Sequence, residues 1–179
     1  MQDLDTLIEE HKDKLYKLCM YLEKNRYNAE ELFQDTWVKA IEKHLFYDRT
    51  QLFYPWLSHI AVNLYRDKLR RLKREVKYIL WQGEKEIQTA DEGVDLLREV
   101  IKKDEWQLAK ESLQSLDDKY KLPIILVLIE GLSYKEAGEI LDIPEKTIKS
   151  RIYDGRVKIK KMVEKEEIDC ERRKRKRMV

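Results

Sequence analysis

Apolar residues recur at spacings of three and four from the start of the chain. Leu4, Leu7, Ile8, His11, Leu15, Leu18, Cys19 and Leu22 form one stripe, which predicts an amphipathic helix. His11 lies on that stripe and reads as a histidine at the edge of a core rather than as a ligand. A break is expected at residues 24–27. Asn28 then offers an N-cap with Glu31 three residues on. Ala29, Leu32, Phe33, Thr36, Trp37, Ala40 and Ile41 make the buried side of the second helix, and Glu30, Glu31, Gln34, Asp35 and Lys39 its exposed side. Residues 44–53 (HLFYDRTQLF) have no period and read as a loop. Pro55, suited to a first helical turn, opens a third helix with the stripe Leu57, Ile60, Ala61, Leu64, Leu69, Leu72 and Val76. Three helices around one apolar interior are expected to form a domain over residues 1–80.

The pattern then weakens. Residues 82–94 hold two Gly, many acids and only Ile87 and Val94 as larger aliphatics, too little to bury for independent folding. Residues 81–112 are therefore expected to be an acidic linker. It contains most of a helix predicted over 95–113, from Leu96, Leu97, Val100, Ile101, Leu108 and Ala109. A second domain is expected over 113–165. Residues 122–129 (LPIILVLI) suit a buried helix that Pro123 starts or kinks. Gly131 fits a helix C-cap, and Ser133 with Glu136 forms a capping box for the next helix, which ends near Leu141. Asp142, Ile143 and Pro144 make a turn, and Glu145 begins the last helix. Ala137, Ile140, Leu141, Ile143, Ile148 and Ile152 would be the small core of this pair. Residues 166–179 are left as a tail.

Composition supports an all-α fold of two small helical domains. Five Gly and three Pro in 179 residues leave few hairpin turns, and 40% of the residues are charged. The formal net charge of +2 conceals clusters. Residues 66–77 (RDKLRRLKREVK) carry seven bases against two acids, and residues 145–161 the same. Between them, residues 84–99 carry six acids against two bases, and residues 172–177 are six consecutive bases. Without that terminal run and Glu171 the chain would be net negative, so the patches and not the total suggest a polyanionic partner.

Several function classes drop out. Cys19 and Cys170 are too few and too distant for a disulfide framework or a zinc site, and Cys19 sits on an apolar face. No apolar run approaches a membrane span, and the acidic start MQDLDTLIEE is unlike a signal peptide, so a cytoplasmic protein without membrane insertion is expected. His11, His44 and His59 fall in different elements, and no Gly-rich phosphate loop is present. No enzyme activity, metal or cofactor is expected.

Two short helices joined by a tight turn, followed by Lys146, Thr147, Lys149, Ser150 and Arg151, have the layout of a helix-turn-helix. A helix fits the major groove, and cationic or hydroxyl side chains on its first turns can bond bases and phosphates. A helical hairpin with a solvated basic face is the plain alternative, and the second basic patch at 66–77 weighs against it.

Three stretches, in order, resemble one family. GLSYKEAGEILDIPEKTIKSR at 131–151 resembles region 4 of sigma-70-type RNA polymerase sigma factors (GLSYxEIAEILGIPxGTVKSR). AEELFQDTWVKA at 29–40 resembles region 2.2 (AEDLxQETFxxA), and WLSHIAVNLYRDKLRR at 56–71 resembles regions 2.3 and 2.4 (WLxxIAxNxxxDxxRR). The short acidic segment between them points to the extracytoplasmic-function (ECF) group. The resemblance implies a subunit that binds core RNA polymerase, recognises the minus-35 and minus-10 promoter elements and promotes opening of promoter DNA. Carried over, Glu31, Gln34, Asp35 and Lys39 would dock on the polymerase. Asn63, Arg66, Asp67 and Arg70 would lie near minus-10 bases, with Arg71, Lys73 and Arg74 near phosphates. Lys146, Thr147, Lys149, Ser150 and Arg151 would read the minus-35 duplex. An anti-sigma factor is an expected partner.

The residues themselves leave other readings open. The second helix could present an ordinary solvated face, Asp67 could pair with Arg71 four residues on, and the terminal basic run could be solvated and disordered or contact DNA. A polymerase-independent helix-turn-helix regulator would need a dimer for a symmetric operator, and a nucleic-acid-processing enzyme would need a carboxylate cluster. The chain departs from the family pattern at Asp154, which Gly155 follows, and at Gly138. Asp154 stands where a base is usual, Gly155 weakens a helix interior by about 1 kcal/mol relative to Ala, and Gly138 stands for the usual Ala, a change that would let two helices approach closely.

Overall fold

The computed structural model describes residues 4–48, 50–81 and 105–177, and every regular element among them is helical. The chain divides into two compact units, one within residues 1–100 and the other within 101–179. Of the expected linker at 81–112, residues 82–104, with most of the predicted helix, lie outside the described residues, and residues 105–112 are helical.

In the first unit, α1 (Leu4–Leu22), α2 (Arg26–Lys43) and α3 (Phe53–Trp81) pack pairwise against one another. Leu15, Leu18, Cys19 and Leu22 of α1 are fully buried. They meet a core supplied by Ala29, Leu32, Trp37 and Ala40 of α2 and by Leu57, Ala61, Val62 and Tyr65 of α3. The start of α2 differs from expectation. The cap is Asn25, whose Oδ1 accepts the Asn28 backbone N–H at 2.8 Å, so Asn28 already sits inside the first turn. Asn25 satisfies an otherwise orphaned donor, and the helix gains three residues, Arg26 to Asn28. His11 is half-buried, with its ring 5.4 Å from that of Phe53, a core-edge position.

The loop after α2 is more ordered than its lack of period suggested. A 3-10 turn (His44–Phe46) follows α2 directly, and Asp48 Oδ1 accepts the Thr50 backbone N–H at 3.0 Å. Tyr47 packs on Phe53 and Trp56, with ring centroids 5.4 and 4.8 Å away. Pro55 lies in the first turn of α3, as expected. The stripe of α3, however, is buried only as far as Tyr65. Leu64 and Leu69 are half-buried and Leu72 is 47% exposed, so the second half of the helix projects past its core.

In the second unit, α4 (Glu105–Ser115) and α5 (Asp118–Ile124) pack on α7 (Glu145–Arg177), and α6 (Tyr134–Leu141) packs on the start of α7. Asp117 caps α5 through the Lys119 N–H. Pro123 sits inside α5 rather than starting it, and the helix then widens into a π segment (Ile125–Ile129), where the Glu130 N–H donates to the Ile125 carbonyl at 2.9 Å. Pro123 has no N–H to donate one turn back, at the Lys119 carbonyl, so its direct effect falls before the π segment. Leu122, Pro123, Ile124, Ile125 and Leu126 are buried but Leu128 is 49% exposed, so only the first part of the run 122–129 has the predicted core role. The last helix runs to Arg177, well into the segment left as a tail. Lys, Glu and Arg are good helix formers, and bases near a C-terminus interact favourably with the helix dipole.

Candidate polymerase and nucleic-acid interfaces

On α2, Gln34 and Asp35 are exposed, but the remaining candidates are tied to neighbours. Lys68 of α3 places its Nζ 2.8 Å from Glu31 and 3.3 Å from Glu23, linking the end of α1, α2 and α3. That ammonium holds the Glu31 carboxyl below its ordinary range. Lys39 pairs with Glu42 at 2.8 Å. Sequence reasoning missed an apolar component of this surface. Tyr27, Val38, Ile41 and Leu45 are 78%, 56%, 51% and 88% exposed. With Glu31 and Gln34 they recur at spacings of three and four along the outward side. Ile41 had been assigned to the core side, but at 100° per residue it falls about 100° from the centre of the buried arc. A search for a second apolar stripe on the same helix would have found this face.

The projecting half of α3 brings the second set together. At 100° per residue, Asn63, Arg66, Asp67, Arg70, Arg71, Lys73 and Arg74 fall within an arc of about 160°, turned away from the buried stripe. Asn63 and Arg66 are half-buried near the core, and Arg70, Arg71, Lys73 and Arg74 are exposed. Asp67 pairs with Arg70 at 2.8 Å and not with Arg71, so two of the base-facing candidates hold each other in the free protein. His59 falls on the same arc and was not singled out from the sequence. Partial burial, then the charges of Lys43 and Arg66, hold its imidazole below the ordinary value.

The third set stands on the helix-turn-helix. Ser133 Oγ accepts the Glu136 N–H at 3.1 Å, and Glu136 Oε2 accepts the Ser133 N–H at 2.7 Å, which completes the predicted capping box. Gly131 takes the left-handed φ of +73° before it, and Asp142 ends α6 at φ +55°. Ala137, Ile140, Leu141, Ile148 and Ile152 are buried, with Ile143 half-buried in the turn. A Cβ on Gly138 would lie 2.8 Å from the Ile143 carbonyl oxygen, so glycine permits the close approach of α6 to the turn. Gly155 has a similar cause: its Cβ would lie 2.6 Å from Ile124 Cδ1 and 3.3 Å from Tyr120 Cβ, where α5 crosses α7.

Lys146, Lys149 and Ser150 are exposed, and Thr147 and Arg151 half-buried, on the first turns of α7. Lys149 pairs with Glu145 at 2.7 Å, which raises its pKa, and stands 5.2 Å from the Tyr134 ring centroid. Ser150 Oγ donates to the Thr147 carbonyl at 3.1 Å.

An exposed face of polar and apolar residues on α2, a cationic half-helix and a helix-turn-helix with a basic first turn are together features of a DNA-binding protein. Comparison with known proteins makes the class specific. The family model for sigma-70 region 2 matches residues 7–75, and that for sigma-70 region 4 matches residues 107–159. Over 162 residues the chain is 31% identical to the ECF RNA polymerase sigma factor SigW of Bacillus subtilis, covering 88% of this chain and 87% of that one. It is 30% identical over 163 residues to SigE of Mycolicibacterium smegmatis, covering 89% of this chain and 61% of that one. The sigma factor RpoE, solved with the anti-sigma factor NepR from Bartonella quintana, matches with a TM-score of 0.72 and 26% identity, over 92% of this chain and 98% of that one. The chain belongs to the ECF group of sigma-70 family RNA polymerase sigma factors, and its function is promoter-specific transcription initiation with RNA polymerase. A regulator acting without polymerase is not favoured.

Proposed function

We propose a division of labour between the units. The outward face of α2, with Gln34 and Asp35 beside Val38 and Ile41, docks on core polymerase. The projecting half of α3 holds a melted minus-10 strand, with Asn63, Arg66 and Arg70 toward bases and Arg71, Lys73 and Arg74 toward phosphates. Lys146, Thr147, Lys149, Ser150 and Arg151 read the minus-35 duplex. The observation that carries this reading is the gathering of seven candidate residues on one arc of α3, with Asn63 and Arg66 at the edge of its packed part and the other five exposed. A cationic surface beside groups able to bond unstacked bases favours single strands over duplex. The protein works in the cytoplasm and catalyses no step itself. An anti-sigma factor restrains it, a reading supported by its similarity to a sigma factor solved in such a complex.

Holoenzyme variants test the division. Asn63→Ala should keep the upstream nuclease footprint but slow opening, read by permanganate reactivity of thymines, and a premelted template should restore part of the activity. Lys149→Ala with Arg151→Ala should weaken the footprint without rescue by premelting. The reverse pattern would sink the assignment.

A further inference from the structure

Asp154 is the only acid among residues 146–163. It is exposed on α7, at a position where the family pattern has a base. Thr147, Ser150, Arg151 and Asp154 recur at spacings of three and four, so Asp154 continues the same face by one turn. Two potential partners flank it on that face, yet neither is used. Arg151, three residues before, makes no ion pair with it, and Lys158, four residues after, places its Nζ 5.3 Å from the Tyr120 ring centroid. Asp154 has no hydrogen-bond or ion-pair partner among the described residues. The direction of this turn is fixed by its neighbour, since Gly155 is buried against Tyr120 and Ile124 of α5.

A carboxylate carried into the major groove with four nearby cations meets phosphates that repel it. It is accommodated where it can accept a hydrogen bond from a base. Only cytosine N4 and adenine N6 donate in that groove, and adenine sets its N7 acceptor beside the donor, where the second carboxylate oxygen is disfavoured. We infer that Asp154 is a specificity-determining residue that selects cytosine at one position of the upstream promoter element. The inference rests on the proposed role of α7 as reader of that element.

The test uses holoenzyme and a promoter recovered by transcription of genomic DNA with core polymerase and this protein, randomised across its upstream element. Bound fragments are sequenced for the unaltered protein, Asp154→Ala and Asp154→Asn. The unaltered protein should favour cytosine at one position by about 5- to 150-fold, the range of a good base contact. Asp154→Ala should be indifferent at that position alone, and Asp154→Asn should move the preference to adenine, which asparagine pairs through N6 and N7. If all three share one base profile and differ by a uniform factor, Asp154 only repels phosphates and the inference is wrong. Lys149→Ala and Arg151→Ala, selected in parallel, separate the two levels. If they change the profile while Asp154 variants do not, the role of α7 stands and the inference about Asp154 fails. If no variant changes it, the assignment of α7 fails and takes the inference with it.

Discussion

Replacing Arg71, Lys73 and Arg74 together by Ala should change the salt dependence of promoter binding more than the fold. All three are exposed on the part of α3 beyond its buried stripe, and none makes an ion pair among the described residues, so their charge is available to phosphates. Arg70 is different, because binding must first part it from Asp67. Each phosphate neutralised on a single strand contributes about 0.7 to the slope of log affinity against log salt, so three contacts contribute about 2. The advantage of the unaltered protein over the variant should therefore shrink about 20-fold as salt rises from about 50 to about 200 mM. Holoenzyme binding to a fork-junction DNA with an exposed minus-10 strand, followed by fluorescence anisotropy, measures this. Alanine is the best helix former, so the substituted helix should persist, as circular dichroism would verify. A slope unchanged within a few tenths, with the variant folded, would show that these cations do not meet the backbone.

Charge reversal at Asp35 with Gln34→Ala, or Ile41→Asp alone, should each weaken core polymerase binding about tenfold or more without unfolding, given the cost of removing a contact near the centre of an interface; binding unchanged in a pull-down titration would remove α2 from the interface. Gly155→Val should destabilise the second unit by about 1–3 kcal/mol in urea denaturation, because its Cβ would overlap buried Ile124 and force repacking; a variant as stable as the parent would refute the close crossing. Partial burial holds the imidazoles of His11 and His59 below their ordinary value of 6.5. The unfolded chain therefore binds these protons more readily, and the stability they contribute, fully present above pH 6.5, should be lost as pH falls through the lowered values. His11→Gln with His59→Gln should flatten that part of the stability profile, above the range in which carboxylates titrate, and an unchanged slope would count against it.

How much of this was legible in the sequence depended on the kind of signal. The stripes of α1 and α2, the capping box at Ser133 and Glu136 and the turn at 142–144 were readable because each is fixed by local chemistry. Three features were not. Asn28 read as the cap because Glu31 follows it at capping-box spacing, but Glu31 instead meets Lys68, thirty-seven residues away, a contact no local pattern encodes. Leu72 continued an apolar period that suggested burial, yet periodicity reports only which side of a helix a residue occupies, and among the described residues none covers Leu72 enough to bury it. Gly155 read as a weak point because propensity counts its entropy and not the packing of Tyr120 and Ile124 against it.

These failures have one physical origin and bear on the site. A residue's direction around its helix can be read from spacing, which is why all seven α3 candidates fell on one arc. Whether another element covers that direction is a tertiary fact. For α3 its absence among the described residues is what frees the cations, and for α2 it leaves Val38 and Ile41 in solvent beside Gln34 and Asp35. Apolar side chains left outward on a helix that already buries another stripe gain by covering, at about 25 cal/mol per Å² removed from water. Polar Gln34 and Asp35 among them would orient the partner more than they hold it. The two kinds of substitution should consequently separate. Ile41→Asp should speed dissociation of core polymerase at any salt, whereas Asp35→Lys should slow association most at low salt, where unscreened charge steers encounter. Stopped-flow association and dissociation rates at about 50 and about 300 mM salt, on either side of a Debye length of about 10 Å, distinguish them. If Ile41→Asp altered only the association rate, and only at low salt, the apolar residues would be bystanders and the docking face would be electrostatic alone.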